Sequence, residues 1–206
     1  MDLLVKICGV TTAKDAAMAA ELGADAIGVN FWPGSKRYVD PGDAAPILAA
    51  IPKGVLKVGI FVNPRSEEVA QGVDLLGLDR VQLHGDERAT DYPDLDPARL
   101  IRAVRVRDAA SLSSAGTGGW NPGLWLYDAF VEGYGGGGVT APWALIAGQA
   151  RRPFLLGGGL TPDNVAEAVR ATRPDGVDVA SGVERAPGVK DPAKVAAFIA
   201  AARAAI

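Results

Sequence analysis

Short apolar or β-branched runs recur along the chain at Leu3–Ile7, Asp25–Phe31, Val55–Val62, Arg80–His84, Leu100–Val106, Leu124–Tyr127, Pro153–Leu156 and Gly176–Val179. Each has the length of a strand, and turn-forming residues bound most of them. Alanine-rich stretches with helical spacing lie between most of the runs. Ala16, Ala17, Ala20 and Leu22 can share one face of the first, and Val165, Ala168 and Val169 one face of a later one. Thr12 with Asp15 reads as a helix start. Asn63-Pro64, Thr161-Pro162 and Asp191-Pro192 each offer a cap followed by proline at the first helical position. Gly23 stops the first helix, and Pro52-Lys53-Gly54 stops the second. The stretch Ser111–Gly119 is rich in Ser and Gly and predicts a short, ragged fifth helix.

Eight strands alternating with helical segments predict an α/β protein with a parallel sheet, either doubly wound or closed. The count of eight βα units favours closure into a single-domain (β/α)₈ TIM barrel over residues 1–206, near the lower size limit of that architecture. No stretch reads as a linker between domains.

Composition narrows the function classes. In 206 residues, 49% are hydrophobic and 22% charged, the profile of a soluble globular chain. The net charge of −3 gives no general reason to expect nucleic acid or an anionic membrane as partner. An anionic small substrate would need local donors. One cysteine allows no internal disulfide, which suits a reducing compartment. No apolar run reaches the ~18–20 residues of a membrane span, and Met1–Lys6 lacks the features of a leader. The expectation is a cytoplasmic protein, monomer or homodimer, acting on a small molecule.

In a parallel barrel the active site gathers at the C-terminal ends of the strands. The only cysteine, Cys8, ends the first strand, and the only histidine, His84, ends the fourth. Asp128 closes the sixth. At a strand end beside Lys6, Cys8 is expected to be an exposed thiol whose pKa a positive environment lowers, making the thiolate a usable base; the alternative is an inert packing residue. A carboxylate closing an apolar strand can retain a proton to donate, the role expected of Asp128, unless it is a solvated cap. Arg37 offers a planar fork for a carboxylate, or is an ordinary surface charge. His84 can bond a hydroxyl or sugar ring, or be structural. Asp178 can bond a substrate hydroxyl.

Gly157-Gly158-Gly159 after the seventh strand, with Ser181-Gly182 after the eighth, predict a phosphate site. Glycines let backbone N–H groups approach an anion closely, and these two loops hold phosphate in many such barrels. Gly157–Gly159 matches neither nucleotide-binding glycine pattern. One His and one Cys cannot assemble the usual zinc sets. No cofactor and no metal are expected.

Several blocks, in order and at barrel spacing, resemble the phosphoribosylanthranilate isomerases of tryptophan biosynthesis. They are Lys6-Ile7-Cys8-Gly9, Gly23–Gly28, Ser35-Lys36-Arg37-Tyr38-Val39, Val58–Val62, Val81–Glu87, Gly158-Gly159-Leu160 and Gly176–Glu184. The resemblance implies an Amadori rearrangement of N-(5-phosphoribosyl)anthranilate. It gives Cys8 the place of general base, Asp128 that of general acid, Arg37 the anthranilate carboxylate, and the glycine loops the phosphate. The chain departs from the family pattern after the sixth strand. Gly136-Gly137-Gly138-Val139-Thr140-Ala141-Pro142-Trp143 replaces a Gly-Thr-Gly-Lys-like segment followed by Phe-Asp-Trp. Two other readings are a sister isomerase of the histidine pathway, whose family uses two aspartates, and a silent phosphosugar-binding barrel.

Overall fold

In a β-strand successive side chains point to opposite faces, so a barrel strand divides its residues between the interior and the helix layer. In the computed structural model, which describes residues 3–114, 118–129 and 141–206, eight parallel strands make that division and close on themselves in sequence order. They are β1 (Leu4–Ile7), β2 (Ala26–Asn30), β3 (Leu56–Phe61), β4 (Arg80–Leu83), β5 (Leu100–Val106), β6 (Leu124–Ala129), β7 (Phe154–Leu156) and β8 (Gly176–Val179). Closure is made by β1 on β8, with Leu4 opposite Gly176 and Lys6 opposite Asp178. The closed barrel expected from the count of units is therefore observed.

Seven α-helices accompany the strands among the described residues: α1 (Ala13–Glu21), α2 (Ala45–Ala49), α3 (Ser66–Leu76), α4 (Ala109–Ser114), α5 (Trp143–Gln149), α6 (Val165–Thr172) and α7 (Pro192–Arg203). Between β4 and β5 the described chain has only two 3₁₀ turns, Ala89–Asp91 and Pro97–Arg99. The ragged segment predicted after β5 is the six-residue α4. A short antiparallel hairpin, β9 (Glu184–Ala186) with β10 (Val189–Lys190), follows β8 and was not predicted.

Two of the expected helix starts are placed differently. Thr12 accepts from the Asp15 backbone N–H at 3.1 Å and Asp191 accepts from Ala193 and Lys194, as read from sequence. By contrast, α3 begins at Ser66 and α6 at Val165, two and three residues beyond the prolines at 64 and 162. At α6, Asn164 explains the delay. Its side chain accepts from Thr161 N at 2.8 Å and donates to Gly159 O at 3.0 Å, holding 161–164 as a turn that belongs to the preceding loop. The buried face of α1 is also shifted, to Ala16 and Ala19.

Outward residues such as Val5, Ile7, Ile27, Val29, Val81, Leu83, Val177 and Val179 pack under the helices in one large cluster. Inward residues Ala26, Val58, Ile101, Ala103, Leu126 and Leu155 form a second, smaller one, with Leu4, Leu56 and Leu124 against it. This plug fills the N-terminal half of the interior and leaves the C-terminal half to polar groups. Its fit is close. A Cβ on Gly176 would stand 2.5 Å from Leu155 Cδ2, so Leu155 occupies the space that glycine leaves on the neighbouring strand. Leu155→Ala should lower the unfolding free energy by about 2–5 kcal/mol, read from urea denaturation; a loss well under 1 kcal/mol would show that the plug is not closely packed.

Candidate active site

Continuing the inward alternation past the plug gives Lys6 and Cys8 from β1, Gln82 and His84 from β4, Asp128 from β6, and Asp178 and Ala180 from β8. Except for Lys6, these side chains line one pocket of about 640 Å³ at the C-terminal mouth of the barrel, together with Arg37, Ser181 and Glu184. That is ample for a phosphorylated sugar bearing an aromatic ring. Cys8, Asp128, Arg37, His84 and Asp178, singled out in the sequence, are thus brought together. Ser181 joins them, whereas Gly157, Gly158, Gly159 and Gly182 flank the pocket without lining its described walls.

Lys6 lies beneath the pocket with no exposed surface. Its ammonium donates to Asp178 Oδ1 at 2.7 Å and Gln82 Oε1 at 2.9 Å. Burial opposes the charge, but Asp178 and Cys8 outweigh it and hold the Lys6 pKa above its ordinary value. Gln82 Nε2 lies 3.1 Å from His84 Nδ1, and His84 Nε2 lies 3.4 Å from Asp128 Oδ2. Asp128 Oδ1 accepts from the Ala129 N–H at 2.9 Å. The pocket floor is therefore a chain of polar contacts joining the neighbourhood of Cys8 to Asp128.

The thiol departs from expectation. Cys8 is buried rather than exposed, and its pKa is pushed up, not down. Loss of hydration on burial is the main cause and the Asp178 carboxylate adds to it; Lys6 and Lys190 offset only part. The positive neighbour inferred from sequence, Lys6, is present, but its charge is already engaged by Asp178.

Arg37 passes directly over Gly9, whose φ of +68° favours glycine and where any Cβ would overlap the arginine Cδ. Its Nε and Nη2 each donate to Glu184 at 2.7 Å. Glu184 in turn accepts from the buried Lys190 Nζ at 2.8 Å, and Lys190 also donates to Ala180 O at 3.1 Å. Despite burial, which works against ionisation, Arg37 and Lys190 hold the Glu184 carboxyl below its usual pKa. One edge of the arginine fork is thus committed to the protein, and Nη1 makes no hydrogen bond among the described residues. The β9–β10 hairpin delivers Lys190 to this cluster. It is tied down where Thr11 Oγ1 donates to Gly188 O at 2.7 Å and Lys190 N donates to Asp15 Oδ2 at 3.2 Å.

The end of β4 is braced from behind. Glu87 accepts from Asn63 N at 2.8 Å, Gly85 N at 2.9 Å and Arg102 Nη1 at 2.9 Å, and Arg102 donates to the carbonyls of Leu83 and Gly85. These contacts hold the backbone on both sides of His84. After β7, Gly158 and Gly159 have φ of +82° and +64°. A Cβ on Gly182 would overlap Leu160 O, so the loops after β7 and β8 touch backbone to backbone. This adjacency fits a shared anion cradle. The glycine-rich segment 133–138, like the rest of 130–140, lies outside the described residues; Ala141 N beyond it donates to Gly158 O at 3.4 Å.

Lys6 and Gln82 were missed as site residues. The available signal was parity: each is a polar residue two positions before a suspected rim residue, on the same face of an otherwise apolar strand. Among the described residues no cluster of His, Cys, Asp and Glu is suited to a metal ion, and no helix is long and apolar enough to cross a membrane.

Comparison with known proteins agrees with this geometry. Residues 5–201 match the family model described as N-(5'-phosphoribosyl)anthranilate (PRA) isomerase. The N-(5'-phosphoribosyl)anthranilate isomerase of Magnetococcus marinus is 46% identical over 208 aligned positions, covering 100% of this chain and 97% of the relative. That of Myxococcus xanthus is also 46% identical, over 98% and 97% of the two chains. The crystal structure of phosphoribosyl anthranilate isomerase from Thermotoga maritima superposes with a TM-score of 0.88 at 38% identity, covering 98% of this chain and 99% of that one. A structure of the enzyme in complex with reduced 1-(o-carboxyphenylamino)-1-deoxyribulose 5-phosphate gives 0.85 at 36% identity over the same shares. With a closed barrel, a polar pocket at its C-terminal mouth and relatives matched end to end, this chain belongs to the N-(5'-phosphoribosyl)anthranilate isomerase family.

Proposed function

We propose that this chain converts N-(5-phosphoribosyl)anthranilate to 1-(2-carboxyphenylamino)-1-deoxyribulose 5-phosphate in tryptophan biosynthesis, with Cys8 as general base and Asp128 as general acid. The observation that carries the assignment is the placement of both groups on inward positions at the C-terminal ends of β1 and β6, lining one pocket. The substrate is an N,O-acetal, a glycosylamine, whose ring must open before its C2′ proton becomes acidic. Asp128 gives its proton to the ring oxygen. The anilino nitrogen lone pair forms the C1′=N bond as the C1′–O bond breaks, and a Schiff base results. The Cys8 thiolate then takes the C2′ proton. That electron pair forms C1′=C2′ and the C1′=N pair returns to nitrogen, giving an enolamine. Tautomerisation moves the enol proton from the C2′ oxygen to C1′ and leaves the ketone. No proton or electron is gained overall, so an isomerisation results and no redox cofactor is required by the balance.

Binding follows from the same pocket. The Nη1 edge of Arg37 faces the anthranilate carboxylate while Glu184 holds the other edge. The loops carrying Gly157–Gly159 and Ser181–Gly182 take the phosphate, and Asp178, with Oδ1 on Lys6, has Oδ2 for a sugar hydroxyl. His84 lies beside Asp128 on the sugar side. The family resemblance and the relative solved with a reduced product analogue support this reading.

Each acid–base role typically contributes about 10²–10⁴-fold. Cys8→Ala and Asp128→Asn should each lower kcat by about that factor in a direct isomerisation assay while calorimetry still detects the reduced product analogue. Near-normal turnover in either variant would remove that residue from its role. The reaction needs Asp128 protonated and Cys8 as thiolate at once, so kcat/KM, which reports the free enzyme, should be bell-shaped. Because burial raises the Cys8 pKa, one limb should lie above about 8.5, the ordinary thiol value. A profile whose limbs both lie below about pH 8.5 would contradict a buried thiol as base. Arg37→Lys supplies charge without a fork and should raise KM by about 10-fold or more, the value of a lost charged hydrogen bond, with a smaller change in kcat. An unchanged KM would place the carboxylate elsewhere.

A further inference from the structure

The polar chain beneath the pocket has only one consistent pattern of hydrogens. A lysine ammonium donates and never accepts, so the Gln82 atom that meets Lys6 Nζ at 2.9 Å is the amide oxygen. Asp178, 2.7 Å from the same nitrogen, anchors Lys6 from the adjacent strand and keeps it ionised. The Gln82 NH₂ group is then left facing His84 Nδ1 at 3.1 Å. Two donors cannot share that contact, so in the neutral ring Nδ1 is the bare acceptor and the hydrogen sits on Nε2. Rotating the Gln82 amide to accept from Nδ1–H would turn its NH₂ against the buried ammonium. His84 Nε2 has no aligned hydrogen-bond partner among the described residues, although it is buried and Asp128 Oδ2 is 3.4 Å away.

We propose that Gln82 is a positioning residue that sets the tautomer of His84, with the Lys6–Asp178 pair setting the orientation of Gln82. Four strands cooperate: β8 and β1 supply the ion pair, Lys6 reaches across the barrel to β4, and β4 presents the ring to β6. The product is an Nε2–H kept without a hydrogen-bond partner among the described residues and placed beside Asp128. The tautomer stands on geometry alone; its catalytic consequence rests on the assignment of Asp128 as the acid. When Asp128 loses its proton to the ring oxygen, Nε2–H is a preset donor for the carboxylate that forms. A donor aimed at charge developing during reaction raises kcat more than it tightens substrate binding.

His84 is the only histidine in the chain, so a long-range ¹H–¹⁵N spectrum of the labelled protein reads one ring without assignment. In unmutated enzyme, at a pH where the ring is neutral, Nδ1 should resonate as a pyridine-type nitrogen and Nε2 as a pyrrole-type one. This measurement needs no variant and no substrate, and the opposite pattern would overturn the proposal. Gln82→Leu should let both tautomers populate, drawing the two nitrogen shifts together. Gln82→Glu should invert them, because a carboxylate accepts from Nδ1–H. Both variants should lose kcat by roughly 10-fold or more, the scale seen for partners that orient a functional imidazole, with KM changing less. Ring shifts unmoved in Gln82→Leu, or moved with kcat retained, would also refute the positioning role. If the unmutated enzyme instead shows the expected tautomer but does not isomerise the phosphoribosyl substrate, the functional reading fails and the tautomer assignment stands.

Discussion

The burial of one positive charge organises the interior of this barrel. Lys6 has no exposed surface, and an unpaired ammonium at that depth would be strongly destabilising. Its donors must therefore meet acceptors, and those acceptors define the site. Asp178 arrives from the register partner on β8 and Gln82 from across the barrel on β4, while Cys8 stands two residues further along the chain, close enough to raise the Lys6 pKa. Each partner has a second task at the pocket floor. The charge that would have been a liability in an apolar core becomes the reason that a cysteine, a histidine and two aspartates occupy defined positions.

A second buried cluster, Arg37–Glu184–Lys190, plays the same part at the pocket rim. The two differ in composition. Lys6 meets one carboxylate and one neutral amide, whereas Glu184 serves two cations and leaves the rim net positive. That asymmetry suits a substrate whose carboxylate and phosphate both lie toward the rim and whose reacting carbons lie over the floor. It also explains how a chain of net charge −3 could receive the proposed substrate with its two anionic groups: the relevant field is local, in a low-dielectric cleft, and owes little to the total. Glycines make the arrangement possible where chains cross closely, at Gly9 beneath Arg37 and at Gly182 against Leu160.

Placement of Cys8 among these groups has a chemical consequence. A thiol buried beside Asp178 holds its proton more tightly than a free one. Lys6 and Lys190 moderate this, and their effect depends on how far their charge is already engaged. Electrostatics in such a site is set by the whole network, so a neighbouring lysine in the sequence is a poor guide to the direction of a pKa shift.

Much was legible from the residues. The eight apolar runs, their spacing and the alternation with alanine-rich segments required a parallel sheet, and hydrophobic periodicity placed β5 and β8 to the residue, because burial on both faces imposes that pattern on any strand in such a fold. The rim residues Cys8, His84, Arg37 and Asp128 were legible because strand ends are visible in one dimension. Other features were not. The start of α6 depended on the turn that Asn164 closes onto Thr161 and Gly159, and the β9–β10 hairpin depended on anchors at Thr11 and Asp15, far away in the chain. Sequence alone determined the alternation of eight strands with helical segments, which favoured the barrel, and the identity of the polar groups at the strand ends. Only the tertiary structure decided their partners, charges and tautomers, because these depend on distances between strands remote in sequence: Lys6 meets Gln82 across 76 positions and Asp178 across 172.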